Sequence, residues 1–112
     1  MKLSFPLPPT LNHTYGQRGK IRFMYKEARD WMDNAIWKFK YYKGVKPTSV
    51  TIIYYLKFRR DIDSSLKLIL DAMQKAQVVE NDNDIVEMHI FKKRDHEDPR
   101  LEIEFSPEVE IN

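Results

Sequence analysis

Ser49-Val50-Thr51-Ile52-Ile53-Tyr54-Tyr55-Leu56-Lys57-Phe58-Arg59-Arg60-Asp61-Ile62-Asp63-Ser64-Ser65-Leu66-Lys67 is the stretch that decides the architecture. Its first part, Ser49 to Phe58, is β-branched and aromatic, the composition of a central strand. The chain then turns polar, and Asp63 or Ser64 can cap a helix with the apolar face Leu66, Leu70 and Met73, Ile69 beside it, ending near Ala76. A strand that runs through two acids into a helix is the unit around which the rest is arranged.

Upstream, Lys2 to Leu7 reads as a short first strand. Pro8-Pro9-Thr10-Leu11-Asn12 forces extended or turn geometry, because proline fixes its own φ and restricts the residue before it. From His13 to Phe23 the composition is polar, and Gly16 and Gly19 predict a flexible basic loop carrying Arg18, Lys20 and Arg22. Tyr25, Ala28, Met32, Ala35, Ile36, Phe39 and Tyr42 recur at helical spacing, with Gly44 and Pro47 as a stop, so a helix is expected over 25–43. Downstream, Val78-Val79 leads into the acidic turn Glu80-Asn81-Asp82-Asn83-Asp84. Ile85 to Lys93 alternates as a strand, Arg94 to Pro99 is a charged turn, and Leu101 to Phe105 alternates as a final strand. The order β-α-β-α-β-β implies an α+β fold, a small mixed β-sheet with two packed helices.

At 112 residues the chain is one domain, 1–112, large enough for a core. The absence of cysteine removes disulfides, thiolate zinc sites and Cys nucleophiles, and fits a reducing, cytoplasmic setting. No apolar run approaches the roughly 18 residues needed to span a bilayer, and the start Met1-Lys2-Leu3-Ser4-Phe5-Pro6 is no signal peptide. Charge is segregated: residues 1–56 carry 10 Lys/Arg against 3 Asp/Glu, and residues 57–112 carry 9 against 14. A basic half suits a polyanion, and a well-hydrated helix surface gives the same count.

The acids are the informative part. In extended backbone, residues two apart point to one side, so Asp61 and Asp63 can converge on one cation. Lys67 lies one helical turn beyond Asp63 and can lean back over the helix start. Asp82 opens the next strand and is expected to return to the same end of the sheet. Three carboxylates at one point repel unless a cation neutralises them, and an oxygen-only set favours Mg²⁺ or Mn²⁺. Such a site suits metal-assisted phosphoryl transfer. The ordinary alternative is that Asp63 caps the helix and Asp63–Lys67–Asp71 is an i,i+4 ion-pair ladder; Asp61, directly after two arginines, fits neither role.

Taken together these residues resemble the RusA-type Holliday junction resolvases, small DNA endonucleases of bacteria and their phages. The carriers are Arg59-Arg60-Asp61-Ile62-Asp63, Lys67 and Asp82, with the N-terminal set Pro8, Pro9, Asn12, Tyr15 and Gly16; Ser64 stands where the family usually has asparagine. The resemblance implies a RusA-like homodimer whose Asp61, Asp63 and Asp82 hold Mg²⁺ (Mn²⁺ substituting), with Lys67 catalytic. It implies resolution of branched, four-way junction DNA in recombination and repair, in a bacterial cell or from a prophage. Spacing favours Asp82 as the third ligand, with Asp84 or Glu80 as alternatives. Asn12, Arg59, Arg60, Lys20, Arg22, Lys92 and Lys93 are the DNA-contact candidates.

Other features carry ordinary readings. Phe58 can wedge into an unstacked junction but is expected first as a strand-end core residue, and Trp31, Trp37, Tyr41 and Tyr42 as core or dimer interface. His13, His89 and His96 show no ligand spacing. The acidic turn is not an EF-hand, since Ile85 stands where that loop needs glycine. The competing function is a non-catalytic nucleic-acid-binding protein whose acids form a structural ion site.

Overall fold

The computed structural model describes residues 2–10 and 15–106. Its elements are β1 (Lys2–Phe5), β2 (Tyr15–Arg18), β3 (Ile21–Met24), α1 (Lys26–Phe39), β4 (Ser49–Leu56), α2 (Asp63–Lys75), β5 (Glu87–Arg94) and β6 (Arg100–Ser106). Short 3₁₀ turns occupy Lys40–Tyr42 and Asp82–Asp84. Four strands form one sheet in the order β1-β6-β4-β5, and β2 and β3 form a separate two-stranded sheet. The main sheet is mixed: β5 runs parallel to β4, while β6 is antiparallel to both β4 and β1.

The core follows from the alternation in β4. Val50, Ile52, Tyr54 and Leu56 are buried, and register sets them beside Phe105, Ile103 and Leu101 of β6. Trp31, Met32, Ala35 and Phe39 of α1 and Leu68, Ile69, Ala72 and Met73 of α2 join the same buried cluster, so both helices pack with this face. Each large side chain removed from water here contributes roughly 1.5–3 kcal/mol. The opposite face carries Thr51, Ile53 and Tyr55 beside Glu102 and Glu104, all only partly covered. No helix among the described residues is long and apolar enough to cross a membrane.

The α+β class and the two helices agree with expectation, and four local features differ. The segment read as a loop contains a β-hairpin: Tyr15 pairs with Met24 and Arg18 with Ile21. Gly19, at φ 62°, makes its tight turn. Gly16 is needed for space, because a Cβ there would meet the Phe23 ring at 2.5 Å. The hairpin is thus inserted between β1 and α1. Second, α1 ends at Phe39 and tightens into a 3₁₀ turn before Gly44 (φ 77°) redirects the chain. Third, Phe58 is 72% exposed and is no core residue, because β4 ends at Leu56 and the chain leaves the sheet before it. Fourth, Ile62 occupies the N-cap of α2 without a side-chain cap bond, and Asp63 is the first helical residue. Asp63 is therefore not the cap.

The end of α2 fixes where the acidic turn falls. Gln77 N–H donates to the Gln74 carbonyl and Val78 N–H to the Met73 carbonyl, the paired bonds of a Schellman ending. Gln77 sits at φ 63°, a left-handed position where a side chain is strained. Gly44 N–H and Lys46 N–H then donate to the carbonyls of Gln77 and Val78, tying this corner to the start of β4. Gln77→Gly is expected to raise unfolding free energy by about 1 kcal/mol; a urea titration showing an unchanged or lower midpoint would contradict the strain assignment.

Candidate active site

The carboxylates predicted to meet are divided by the topology. Strand β4 enters the 57–62 segment at its C-terminal end, and Asp61 and Asp63 stand there at the mouth of α2. The helix then runs back, and β5 begins level with the start of β4: Ser49 pairs with Glu87 and Leu56 with Arg94. Val86 N–H and Glu87 N–H both donate to the Thr48 carbonyl, just before β4 begins. Residue 82, in the 3₁₀ turn leading into β5, therefore lies at the opposite end of the sheet from residues 61 and 63. The eight residues of β4 separate the two ends by roughly 23 Å. The expected return of Asp82 to the same end does not occur within one chain. A parallel β-α-β crossover must place the segment after its helix at the end where its first strand began.

At the Asp61 end the basic candidates do come together. Phe58, Arg59, Arg60, Lys92, Lys93 and Arg94 line one groove beside the top of β4 and β5. The Lys92 ammonium donates to the Arg60 carbonyl at 2.8 Å, clamping the acid-bearing segment onto β5. Arg60 itself is half-buried, and its Nη2 donates to the Pro8 carbonyl at 2.6 Å. Burial lowers the guanidinium pKa from its ordinary value, with the neighbouring Tyr54 hydroxyl acting the other way. Arg60 thus positions the Pro8-Pro9 segment against the acid junction, while Arg59, Lys93 and Arg94 are exposed on the groove.

Below it, Tyr54 and Ser65 anchor the start of α2. The Ser65 hydroxyl donates to the Ile62 carbonyl at 2.8 Å, and the Tyr54 hydroxyl, 3.1 Å away, is left to donate to Ser65 Oγ. A β4 side chain thereby fixes the turn between Asp61 and Asp63. Lys67 is exposed on α2, and among the described residues it forms no ion pair with Asp71, so the proposed ladder lacks that rung.

At the other end, Glu80 and Asp84 have local partners. Glu80 pairs with Lys46 at 3.1 Å, and the Asp84 carboxylate accepts the Asn81 N–H at 3.2 Å. Lys20 and Arg22 lie on the β2–β3 hairpin, a sheet of its own. Asn12 lies outside the described residues. Among the described residues no group of three or more His, Cys, Asp or Glu converges as a metal site.

The family model for the endodeoxyribonuclease RusA matches residues 6–106. The chain belongs to the RusA family. It is also 34% identical over 94 residues to the crossover junction endodeoxyribonuclease RusA of Aquifex aeolicus (strain VF5), an alignment covering 79% of this chain and 74% of that protein. This RusA-family chain is accordingly an endodeoxyribonuclease by membership, with its two sequence motifs, Pro8-Pro9 and Arg59-Arg60-Asp61-Ile62-Asp63, held in contact by Arg60.

Sequence reasoning missed Tyr54, Ser65 and the structural use of Arg60. Only Tyr54 left a trace, a hydroxyl within a strand whose composition reads as central. Burial raises the Tyr54 phenol pKa above its ordinary value, more than the Ser65 bond and the Arg60 charge lower it. Above about pH 10 the unfolded chain releases that proton while the folded chain keeps it, so stability falls as pH rises through this range. Tyr54→Phe should cost about 1 kcal/mol near neutrality and lose stability less steeply in alkali. Parallel urea titrations check this; identical alkaline slopes for the two proteins would contradict it.

Proposed function

We propose that this chain is a divalent-metal-dependent endonuclease that cuts four-way junction DNA in symmetric pairs as a homodimer, acting in recombination and repair in the cytoplasm. The observation that carries the reading is the groove of Arg59, Lys93 and Arg94 opening beside the Asp61-Ile62-Asp63 junction. Cations in that position bind a phosphodiester backbone, and Arg can grip phosphate through two N–H groups. The carboxylates next to them cannot bind phosphate themselves, which leaves a cation between acid and DNA as the consistent arrangement.

Asp61 and Asp63, with Asp82 as third donor, would hold Mg²⁺ or Mn²⁺, for which an all-oxygen set is suited. When bound, that ion supplies an activated water and neutralises charge developing on the phosphate. Arg59, Lys93 and Arg94 hold the backbone, with Lys92 and Arg60 keeping the 57–62 segment in place. Lys67, one turn into α2, places its ammonium to stabilise charge on the phosphate or leaving oxygen. Phe58, exposed at the groove, offers an apolar face to an unstacked base at the branch point. A junction presents two equivalent strands, so paired cuts need two sites related by a two-fold axis. Since topology keeps residue 82 away from residues 61 and 63 in one chain, the partner subunit is the source of the third donor.

Labelled four-way junction and linear duplex, each with Mg²⁺ or EDTA, test this reading. Symmetric nicks in the junction alone, lost with EDTA, are expected. Asp61→Asn, Asp63→Asn and Lys67→Ala should fold and bind junction, with cutting reduced at least about 100-fold. Without metal, the two Asn variants should melt no lower than the parent, because carboxylate repulsion is relieved. Full cutting by Asp61→Asn would overturn the mechanism. Binding without cuts in any metal would leave a nucleic-acid-binding protein with a structural ion site.

A further inference from the structure

The C-terminal end of α1 leaves two aromatic rings in water. Trp37 is 68% exposed, and Tyr41, four residues on in the 3₁₀ turn, is 84% exposed. The sequence puts both in the core or at an interface, and their exposure removes the core reading, whereas Trp31 of the same helix is buried. Among the described residues neither ring packs on another aromatic ring. The Lys40 ammonium lies 4.7 Å from the Trp37 ring centroid, a cation–π contact that orients the indole without covering it.

The charge around these rings has one sign. From Asn34 to Thr48 the chain holds Lys38, Lys40, Lys43 and Lys46 and no acid. Lys38 donates to the Ser4 carbonyl, and Lys46 pairs with Glu80. Lys40 and Lys43 are exposed, and among the described residues neither pairs with an acid. Lys43 also stands at an open cleft of about 470 Å³ that Lys46, Gln74 and Gln77 line. Lys46 and Gln77 hold left-handed backbone, at φ 51° and 63°, where glycine is the unstrained choice. Side chains kept at two strained positions on one cleft point to use of that cleft, since folding alone would favour glycine there.

We propose that this corner binds unpaired DNA: Trp37 and Tyr41 stack on bases, Lys40 and Lys43 hold the backbone, and the Gln74 and Gln77 amides meet a base edge in the cleft. Aromatic faces interleaved with cations suit a single strand, because every base has a stacking face and every link a negative charge. A duplex hides its base faces and would meet the lysines alone. A second copy of this chain fits worse. Two-fold contact sets a patch against itself, so Lys40 and Lys43 would oppose their own copies. The corner leads into the start of β4, the end of the sheet away from Asp61 and Asp63. A strand held here is a second contact, separate from the groove of Arg59, Lys93 and Arg94, and it does not depend on the metal site.

Trp31 is buried, so the fluorescence of Trp37 reports on its own surroundings. Oligothymidylate added to the full chain in EDTA should quench that emission, and the quench should be absent in Trp37→Phe. Trp37→Ala, Tyr41→Ala and Lys43→Glu should each weaken oligothymidylate binding, read by anisotropy, about fivefold or more. Gln77→Gly, the variant expected to gain stability, should weaken it as well, and its lost binding could not be put down to lost folding. Trp37→Ala should cut a fully paired four-way junction at the parent's rate. Four results would each overturn the proposal: no quench by oligothymidylate, equal quench by linear duplex, equal quench by polyglutamate, or loss of self-association in Tyr41→Ala with strand binding intact. The third would mark a surface for acidic peptides and the fourth an interface between copies. Quenching by oligothymidylate from a protein that cuts no DNA would uphold this contact and count against the nuclease reading alone.

Discussion

The parallel register between β4 and β5 is the constraint on which everything else depends. Once Ser49 is level with Glu87 and Leu56 with Arg94, the helix between the strands must return the chain to the end where β4 began. Whatever stands before α2 and whatever stands after it are then held apart by the length of a strand. Here those two places carry the acids that a metal-dependent nuclease would need together. If residues 61, 63 and 82 serve one site, a single chain cannot assemble it, whereas a two-fold axis that brings one end of a strand to the other end of its copy would.

The acid-bearing junction is held from three directions by interactions of different kinds. From beneath, the Tyr54 hydroxyl reaches Ser65, which bonds the Ile62 carbonyl. From the side, Lys92 bonds the Arg60 carbonyl. From the N-terminal segment, Pro8 accepts the Arg60 guanidinium. Charged residues thus act as struts, and two arginines adjacent in sequence part ways. Arg60 is drawn into the protein and Arg59 stays in solvent. Local rigidity of this kind suits carboxylates that must face a cation at fixed geometry.

Much of this was legible in the sequence where one physical signal dominated. The β-branched and aromatic run of β4, the 3.6-residue repeat of both helices and the alternating β6 identified their elements, because burial leaves a record in composition and in period. The Asp61-Ile62-Asp63 junction was legible because it interrupts that record at a boundary. The β2–β3 hairpin was not, since its strands bury little: Ile21 and Phe23 are exposed, and Gly16 serves the Phe23 ring through space. Phe58 was misread because hydrophobicity alone does not say where a strand leaves its sheet. The place of Asp82 was hidden for a deeper reason. Spacing between motifs records order along the chain, whereas the end of the sheet at which a residue emerges depends on whether the flanking strands are parallel.

Complementation between two inactive variants measures the sharing of sites directly. Asp61→Asn and Asp82→Asn chains, each without cutting activity alone, would be co-expressed and assayed on a labelled four-way junction. If each site draws residue 82 from the partner, every mixed dimer contains one wholly native site beside one that lacks both acids. About a quarter of native site activity should return, as single nicks instead of paired cuts. A mixture as inactive as its components would show that residues 61 and 82 act within the same chain, and the account of a site completed across the two-fold would be wrong.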